Sequence, residues 1–151
     1  MCISFETAVL IAAKALKGHL TPIGIPSFVM ALKVALTGKT EEERICGIMY
    51  VLWREKGSLL APLEADFLSN ELEKAQFLFC SPPHQIISRL READSPLAVR
   101  TLIRAMDVYE EEAMNALGEV MTNDPLDTLR FTHLCGLISN YRTLRRQVQE
   151  L

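Results

Sequence analysis

The segment RFTHLCGLISNYRTLRR, residues 130–146, places a histidine, a cysteine and four arginines close together in the chain. His133 and Cys135 are residue types that could act as a nucleophile and its base. Residues two apart on a helix differ by about 200° around its axis, so these side chains point to nearly opposite sides. Because they cannot pair within one helix, we expect no catalytic residue here, with Cys135 near the core edge and His133 in solvent.

The arginines are the candidate binding residues of this segment: Arg130, Arg142, Arg145 and Arg146. Arg142 and Arg146 lie one helical turn apart on the same face, where they could bind a phosphate or an acidic partner. Two structural explanations stay open beside this one. Basic residues stabilise a helix C-terminus by about 0.3–1 kcal/mol each, and these arginines could instead pair with the acidic residues 110–112 of a neighbouring helix.

Metal and cofactor chemistry has little support in the sequence. Cys80 and His84 have a spacing that two zinc ligands could use, but a second pair of ligands is missing. None of the three histidines follows a glutamate by three positions, as the carboxylate-bridged metal bundles require. H-E-x-x-H, G-x-S-x-G, Walker and G-x-G-x-x-G motifs are also absent. We therefore predict no metal, no cofactor and no enzymatic activity.

Two further groups have both a structural and a functional interpretation. Tyr50 and Trp53 lie three apart on a mostly apolar helix, where core packing is favoured over an aromatic ligand floor. Glu110, Glu111 and Glu112 are consecutive and so spread around their helix, which favours a solvated surface over a cation site.

Composition limits the protein class. The chain has 151 residues, of which 49% are hydrophobic and 23% charged, as is typical of one globular domain. A net charge of −3 provides no overall positive field for a nucleic acid, so such binding would need a local basic patch. The four dispersed cysteines favour a reducing compartment. We therefore expect a cytoplasmic protein.

Membrane insertion is not expected. The most apolar stretches, AVLIAAKAL and FVMALKVAL, each contain a lysine. Both are much shorter than the roughly 20 residues that a helix needs to cross a bilayer.

Apolar residues recur at steps of three and four almost throughout, which predicts an all-α bundle of about six or seven helices. Glycines and prolines suggest the boundaries. The expected helices cover about 5–17, 26–37, 40–57, 62–79, 83–92, 96–121 and 125–151.

Helix three is the expected centre of the bundle. Thr40 and Glu43 form a capping box at its start, and the segment after them is apolar on nearly every face.

The last two helices are expected to form a long antiparallel hairpin, because only about three residues join them. Asp124 is the predicted cap of the last helix, with Pro125 at its first position. The inner stripe of that helix is predicted to contain Phe131, Leu134, Leu137, Ile138, Tyr141, Leu144, Val148 and Leu151.

We read residues 1–151 as a single domain. A weaker alternative divides the chain into an N-terminal bundle, residues 1–80, and the C-terminal hairpin, residues 96–151.

Residues 109–146, YEEEAMNALGEVMTNDPLDTLRFTHLCGLISNYRTLRR, contain a Glu-Ala-rich helix, an Asp-Pro turn and a helix of the LxxLxGxIxxLRxL type. This quarter of the chain resembles the C-terminal helical hairpin of short accessory proteins of tailed phages. The matching positions are Glu112, Ala113, Leu117, Asp124, Pro125, Leu134, Gly136, Ile138, Leu144 and Arg145. The resemblance implies a structural or assembly role and carries over no catalytic residue.

The sequence therefore predicts a non-enzymatic interaction or assembly protein that binds a protein partner and self-associates, and that could serve a phage or virus in its structure, packaging or host. Two alternatives stay open. One is a nucleic-acid-binding regulator that uses the C-terminal arginines, with HQIISRLREADS as a weak helix-turn-helix candidate. The other is a small helical enzyme without a recognisable motif.

Overall fold

A computed structural model describes residues 2–56 and 68–151 of the chain. This part of the protein folds into seven α-helices and contains no β-strand, which confirms the all-α prediction. The helices are α1 Phe5–Ala15, α2 Ser27–Leu36, α3 Glu41–Lys56, α4 Asn70–Phe79, α5 Ile86–Glu92, α6 Pro96–Asn123 and α7 Thr128–Gln149.

Side-chain caps fix several helix starts where the sequence predicts them. The hydroxyl of Ser4 accepts a hydrogen bond from the Thr7 backbone N–H, and Ser95 accepts one from Ala98 in the same way. After α1, Gly18 takes a φ of +79°, a conformation that favours glycine and turns the chain away from the helix.

Helix α3 is the central helix, as predicted. Nine consecutive residues, Ile45–Trp53, are buried, so this helix has neighbours on every side. It packs against α1, α2, α4 and α6. It approaches α2 closely at Gly47, where a β-carbon would lie 3.0 Å from the Cα of Ala35.

The start of α3 has the predicted cap with one difference. The Thr40 hydroxyl accepts from the Glu43 N–H at 3.1 Å, while the Glu43 carboxylate reaches one residue further back and accepts from the Lys39 N–H at 2.8 Å. That backbone hydrogen bond is the main cause that lowers the pKa of Glu43.

Two predicted helix starts are wrong, and one predicted helix is interrupted. The interrupted helix is the one over 62–79: Ser69 is extended and caps α4 by accepting from the Leu72 N–H, so α4 begins at Asn70, while the predicted start at residue 62 lies outside the described residues. Pro26 precedes α2 rather than opening it. Asp127, not Asp124, caps α7 by accepting from the Arg130 N–H, because the proline after Asp124 is part of the turn.

Charged side chains also bind the ends of helices together. Arg104 on α6 donates to the carbonyl oxygens of Val34 and Glu43 and to the Thr37 hydroxyl at 3.0–3.3 Å. Its guanidinium thus joins the end of α2 to the start of α3. Burial is the main cause that lowers the pKa of Arg104.

Helices α6 and α7 form the predicted antiparallel hairpin. On α6 the buried residues end at Ala113, although the helix continues to Asn123. On α7 only Leu134, Ile138 and Val148 are fully buried. Buried side chains from all seven helices belong to one hydrophobic cluster. In much of the half of the hairpin nearest its turn, by contrast, α6 and α7 pack only against each other.

Candidate functional site

The four candidate arginines lie on two different sides of the hairpin. Arg130 points toward the loop between α1 and α2, where its guanidinium donates to the Ile23 carbonyl. His133 lies on the same side, with its Nε2 atom 2.9 Å from the Pro22 carbonyl oxygen. Arg130 therefore holds the hairpin against the body of the protein and does not share a surface with the other three.

Arg142 and Arg145 pair with acids across the hairpin. Arg142 Nε lies 3.2 Å from Glu110 Oε2. Arg145 lies 2.8 Å from the Asp107 carboxylate and 3.1 Å from that of Glu110, and the hydrogen bond to Asp107 raises the pKa of Arg145 further. These ion pairs remove much of the positive charge that a phosphate or nucleic acid would meet.

The acids at 110–112 have separate roles. Glu110 holds the two arginines, and Glu112 points to the opposite side of α6, where it pairs with Lys33 of α2 at 2.5 Å. Glu111 is exposed between them. The side chains spread around the helix as expected, and no cluster of three or more metal-binding side chains occurs among the described residues.

Arg146 is exposed, and no ion pair involves it in the described parts of the chain. It lies with Arg142 along a groove of about 480 Å³ between α6 and α7. The floor and walls of the groove consist of Met114, Leu117, Cys135, Ile138, Ser139, Arg142, Thr143 and Arg146.

The groove belongs to a longer surface on the side of the hairpin that faces away from the body. Helical spacing continues the row Met114, Gly118 and Met121 along α6, and the row Phe131, Cys135, Ser139, Arg142 and Arg146 along α7. We call these two rows together the open face. The opposite side of the hairpin makes the contacts of Glu112, Arg130 and His133 described above.

Large apolar side chains are exposed on the open face and at the tip of the hairpin. Leu126 and Leu129, in and just after the turn, are 89% and 85% exposed, and Met121 is 58% exposed. Phe131 and Met114 are also exposed, at 41% and 46%. Isolated exposed leucines are ordinary in proteins, but several such side chains within one end of a hairpin form a surface that another molecule can cover.

The inner stripe of α7 is therefore only partly as predicted. Leu134, Ile138 and Val148 are buried and Leu137, Tyr141 and Leu144 are half-buried, but Phe131 and Leu151 are exposed. Phe131 is exposed because it lies toward the open face, away from the side of α7 on which Arg130 and His133 contact the α1–α2 loop.

Cys135 and His133 do not meet, as their spacing predicts. Cys135 is half-buried in the groove, while His133 is exposed on the side toward the α1–α2 loop. The other cysteine–histidine pair is also unlike a metal site, since Cys80 follows the end of α4 and is half-buried, whereas His84 is exposed in the short helical turn Pro83–Gln85.

Tyr50 and Trp53 belong to the core. Both are buried, and both rings lie against Phe79, at centroid distances of 4.9 Å and 6.4 Å. Tyr109 continues this aromatic cluster to Tyr141 on α7. Burial is the main cause that raises the pKa of Tyr50 to about 12, so its hydroxyl stays protonated in the physiological range.

Sequence reasoning missed the two methionines of the open face. Met114 and Met121 lie seven residues apart, one position after the heptad row that contains the buried residues Met106 and Ala113, and that second heptad row was a signal that could have revealed them. Leu126 and Leu129 carried a further signal, since both are large apolar residues within or beside a predicted turn.

None of the helices in the described ranges has the length and apolar character needed to cross a bilayer. In comparisons with known proteins, no family model, no curated protein and no solved structure matches this chain.

Proposed function

We propose that this protein is a non-enzymatic interaction or assembly protein whose contact surface is the open face and tip of the C-terminal hairpin. The observation that carries the proposal is the exposure of Met121, Leu126 and Leu129 at one end of the hairpin. Burying a leucine side chain contributes about 1.5–3 kcal/mol. A partner that covers this end would therefore gain several kcal/mol before the cost of association.

The remainder of the open face would give such a contact its direction. Arg142 and Arg146 lie at the end of the groove away from the tip, so the surface changes from apolar to basic along its length. Interfaces commonly combine an apolar centre with a charged rim that sets orientation and selects the partner. A helical partner with apolar and acidic residues would fit this layout.

The resemblance of residues 109–146 to phage accessory proteins suggests a setting for this function. We propose an assembly, packaging or host-directed role in a tailed phage, in the host cytoplasm or the virion. The genes beside this one test the setting directly: portal or terminase genes next to it would support a phage role, and neighbours without any phage function would count against it.

The contact surface is tested with Leu126→Lys combined with Leu129→Lys. Both side chains are exposed, so the variant should fold as the wild type does. The matched control is Leu10→Lys combined with Leu36→Lys, which changes two leucines that are 70% and 75% exposed on other helices. Light scattering and chemical crosslinking would measure association, and affinity purification with mass spectrometry would identify partners.

We expect the wild type and the control to associate and to retain the same partner, and the tip variant to lose both. A strict monomer that retrieves no partner from cells that make the protein would overturn the proposal. Equal loss in the tip variant and the control would place the contact elsewhere on the surface.

A further inference from the structure

Two of the ion pairs across the hairpin show how α6 and α7 are aligned. Glu110 pairs with Arg142, and Asp107, one turn earlier on α6, pairs with Arg145, one turn later on α7. A residue one turn later on α6 therefore lies level with a residue one turn earlier on α7. The same alignment sets Met121 level with Phe131 and Leu117 level with Cys135.

Charge is distributed unequally between the two helices of this surface. Asp107 and Glu111 are exposed on α6, two turns and one turn before Met114, respectively. Arg142 and Arg146 are exposed on α7 at about the same level. Toward the tip, both helices instead carry apolar or small residues. The surface is therefore acidic along one helix, basic along the other, and apolar at its far end.

From this layout we infer that the occupant of the open face is a second copy of this chain. The two hairpins pack face to face about a two-fold axis parallel to their helices, and together they form a four-helix bundle. The inference rests on the proposed function, since it names the partner of that same surface. The distribution of charge supports this dimer, because the axis sets α6 of each copy opposite α7 of the other.

In this arrangement, the acidic row of one copy meets the basic row of the other, and the apolar ends meet each other. Glu111 of one copy faces Arg142 of the other, Arg146 faces Asp107, and Met121 faces Phe131. Glu111 and Arg146 have no ion pair in the described parts of their own chain, so each adds its charge to a pair that already exists, Arg142–Glu110 or Arg145–Asp107. A two-fold axis perpendicular to the helices would instead set the arginines of one copy against Phe131 of the other and leave charges against apolar groups. Closed two-fold contacts between identical surfaces are the commonest form of protein self-association.

Small side chains allow the hairpins to approach closely. Gly118 lies on the open face of α6, and a β-carbon built there meets no atom within 4 Å. Cys135 and Ser139 line the facing row on α7. Helices pack at interaxial distances of about 8–10 Å, and small residues at the contact favour the shorter end of that range.

The test uses native Cys135 and a second cysteine introduced by Gly118→Cys, in a Cys2→Ser background that removes another exposed thiol. Protein labelled with ¹⁵N is mixed with unlabelled protein and treated with a short bismaleimide crosslinker. We expect a crosslinked dimer, with mixed-isotope peptides that join position 118 of one copy to Cys135 of the other. The matched control, Glu119→Cys, moves the thiol by one residue to a position that faces away from the open face.

A second measurement tests the charges. Arg146→Glu changes a residue without an ion pair in the described parts of its own chain. Its effect on the monomer is limited to the loss of a favourable charge in the last turn of α7, about 0.3–1 kcal/mol, and we expect the dimer dissociation constant to rise about tenfold or more. Lys17→Glu, the same charge change on an exposed residue after α1, should leave the constant unchanged. Sedimentation velocity measures both.

The outcomes separate this inference from the proposed function. Association without mixed-isotope crosslinks from position 118 would overturn the bundle and leave the interaction surface intact. A protein that is monomeric alone but binds a different partner through the hairpin tip would do the same. Equal crosslinking at positions 118 and 119 would also overturn the arrangement, because it would mean that the copies meet without a fixed orientation.

Discussion

Gly47→Ala should destabilise the protein, although the same substitution in most helices does the opposite. Alanine normally stabilises a helix by about 1 kcal/mol relative to glycine. At Gly47 the added β-carbon would lie 3.0 Å, 3.1 Å and 3.2 Å from three backbone atoms of α2, namely Ala35 Cα, Ala35 N and Val34 C. Backbone atoms cannot rotate away, so α2 and α3 would have to separate by a few tenths of an ångström.

Overpacking of this kind costs about 1–3 kcal/mol, which exceeds the gain from helix propensity at all but the lowest values. The middle of that cost range, less the gain of about 1 kcal/mol, leaves an expected net loss of about 1 kcal/mol, or a fall in melting temperature of about 2–4 °C for a chain of this size. Urea denaturation followed by circular dichroism would measure it.

Gly136→Ala is the matched control. Gly136 lies inside α7, is exposed, and a β-carbon there meets no atom within 4 Å. This variant should therefore be about 1 kcal/mol more stable than the wild type. If Gly47→Ala proved as stable as the wild type while Gly136→Ala gained stability, the close approach of α2 to α3 would be refuted.

Three further predictions concern charged residues. Arg104→Ala should lower the free energy of unfolding by about 2–4 kcal/mol, because the ends of α2 and α3 lose hydrogen bonds to a charged group; an unchanged midpoint in urea would contradict this. The pKa of Glu43 is lowered from 4.5 on folding, so its contribution to stability is present at neutral pH and is lost as the pH falls below 4.5 through the lower folded value. Glu43→Gln should therefore be less stable than the wild type at neutral pH and match it more closely in acid, and denaturation at both pH values checks this. Finally, we expect no retardation of DNA or RNA at low salt, because Asp107 and Glu110 pair with Arg142 and Arg145 and leave Arg146 as the unpaired arginine of this surface within the described parts of the chain; a salt-dependent shift that Arg142→Glu plus Arg146→Glu abolishes would instead support the regulator hypothesis.

The helices of this protein could be predicted from its sequence because their signals are local. Ser4 and Thr40 cap the helices that follow them as expected, and the uninterrupted apolar run after Arg44 identifies α3 as the central helix. The prediction of one continuous helix up to residue 79 missed the interruption at Ser69, because Ser69 could be recognised as a cap only from its extended backbone.

The candidate site was harder to predict, because its character depends on which side of the hairpin the body covers. Periodicity placed Phe131 in the inner stripe of α7. Burial also requires another element to pack against that side of the helix, and periodicity does not show where such an element lies. The sequence left two structural explanations open for Arg142 and Arg145: stabilisation of the helix C-terminus, and pairing with acids across the hairpin. Choosing between them required the alignment of α6 with α7. Arg130 was grouped with the other arginines by residue type, while the structure sets it on the opposite side.

The position of Trp53 has a practical consequence for experiments on this molecule. It is the chain's single tryptophan, and it is buried at 1% exposure in the central helix, beside Phe79. The intrinsic fluorescence of the protein therefore reports on the centre of the bundle and is insensitive to events at the hairpin tip. Emission that stays constant while the copies associate, and that shifts to longer wavelength only in denaturant, would let one optical signal separate assembly from unfolding.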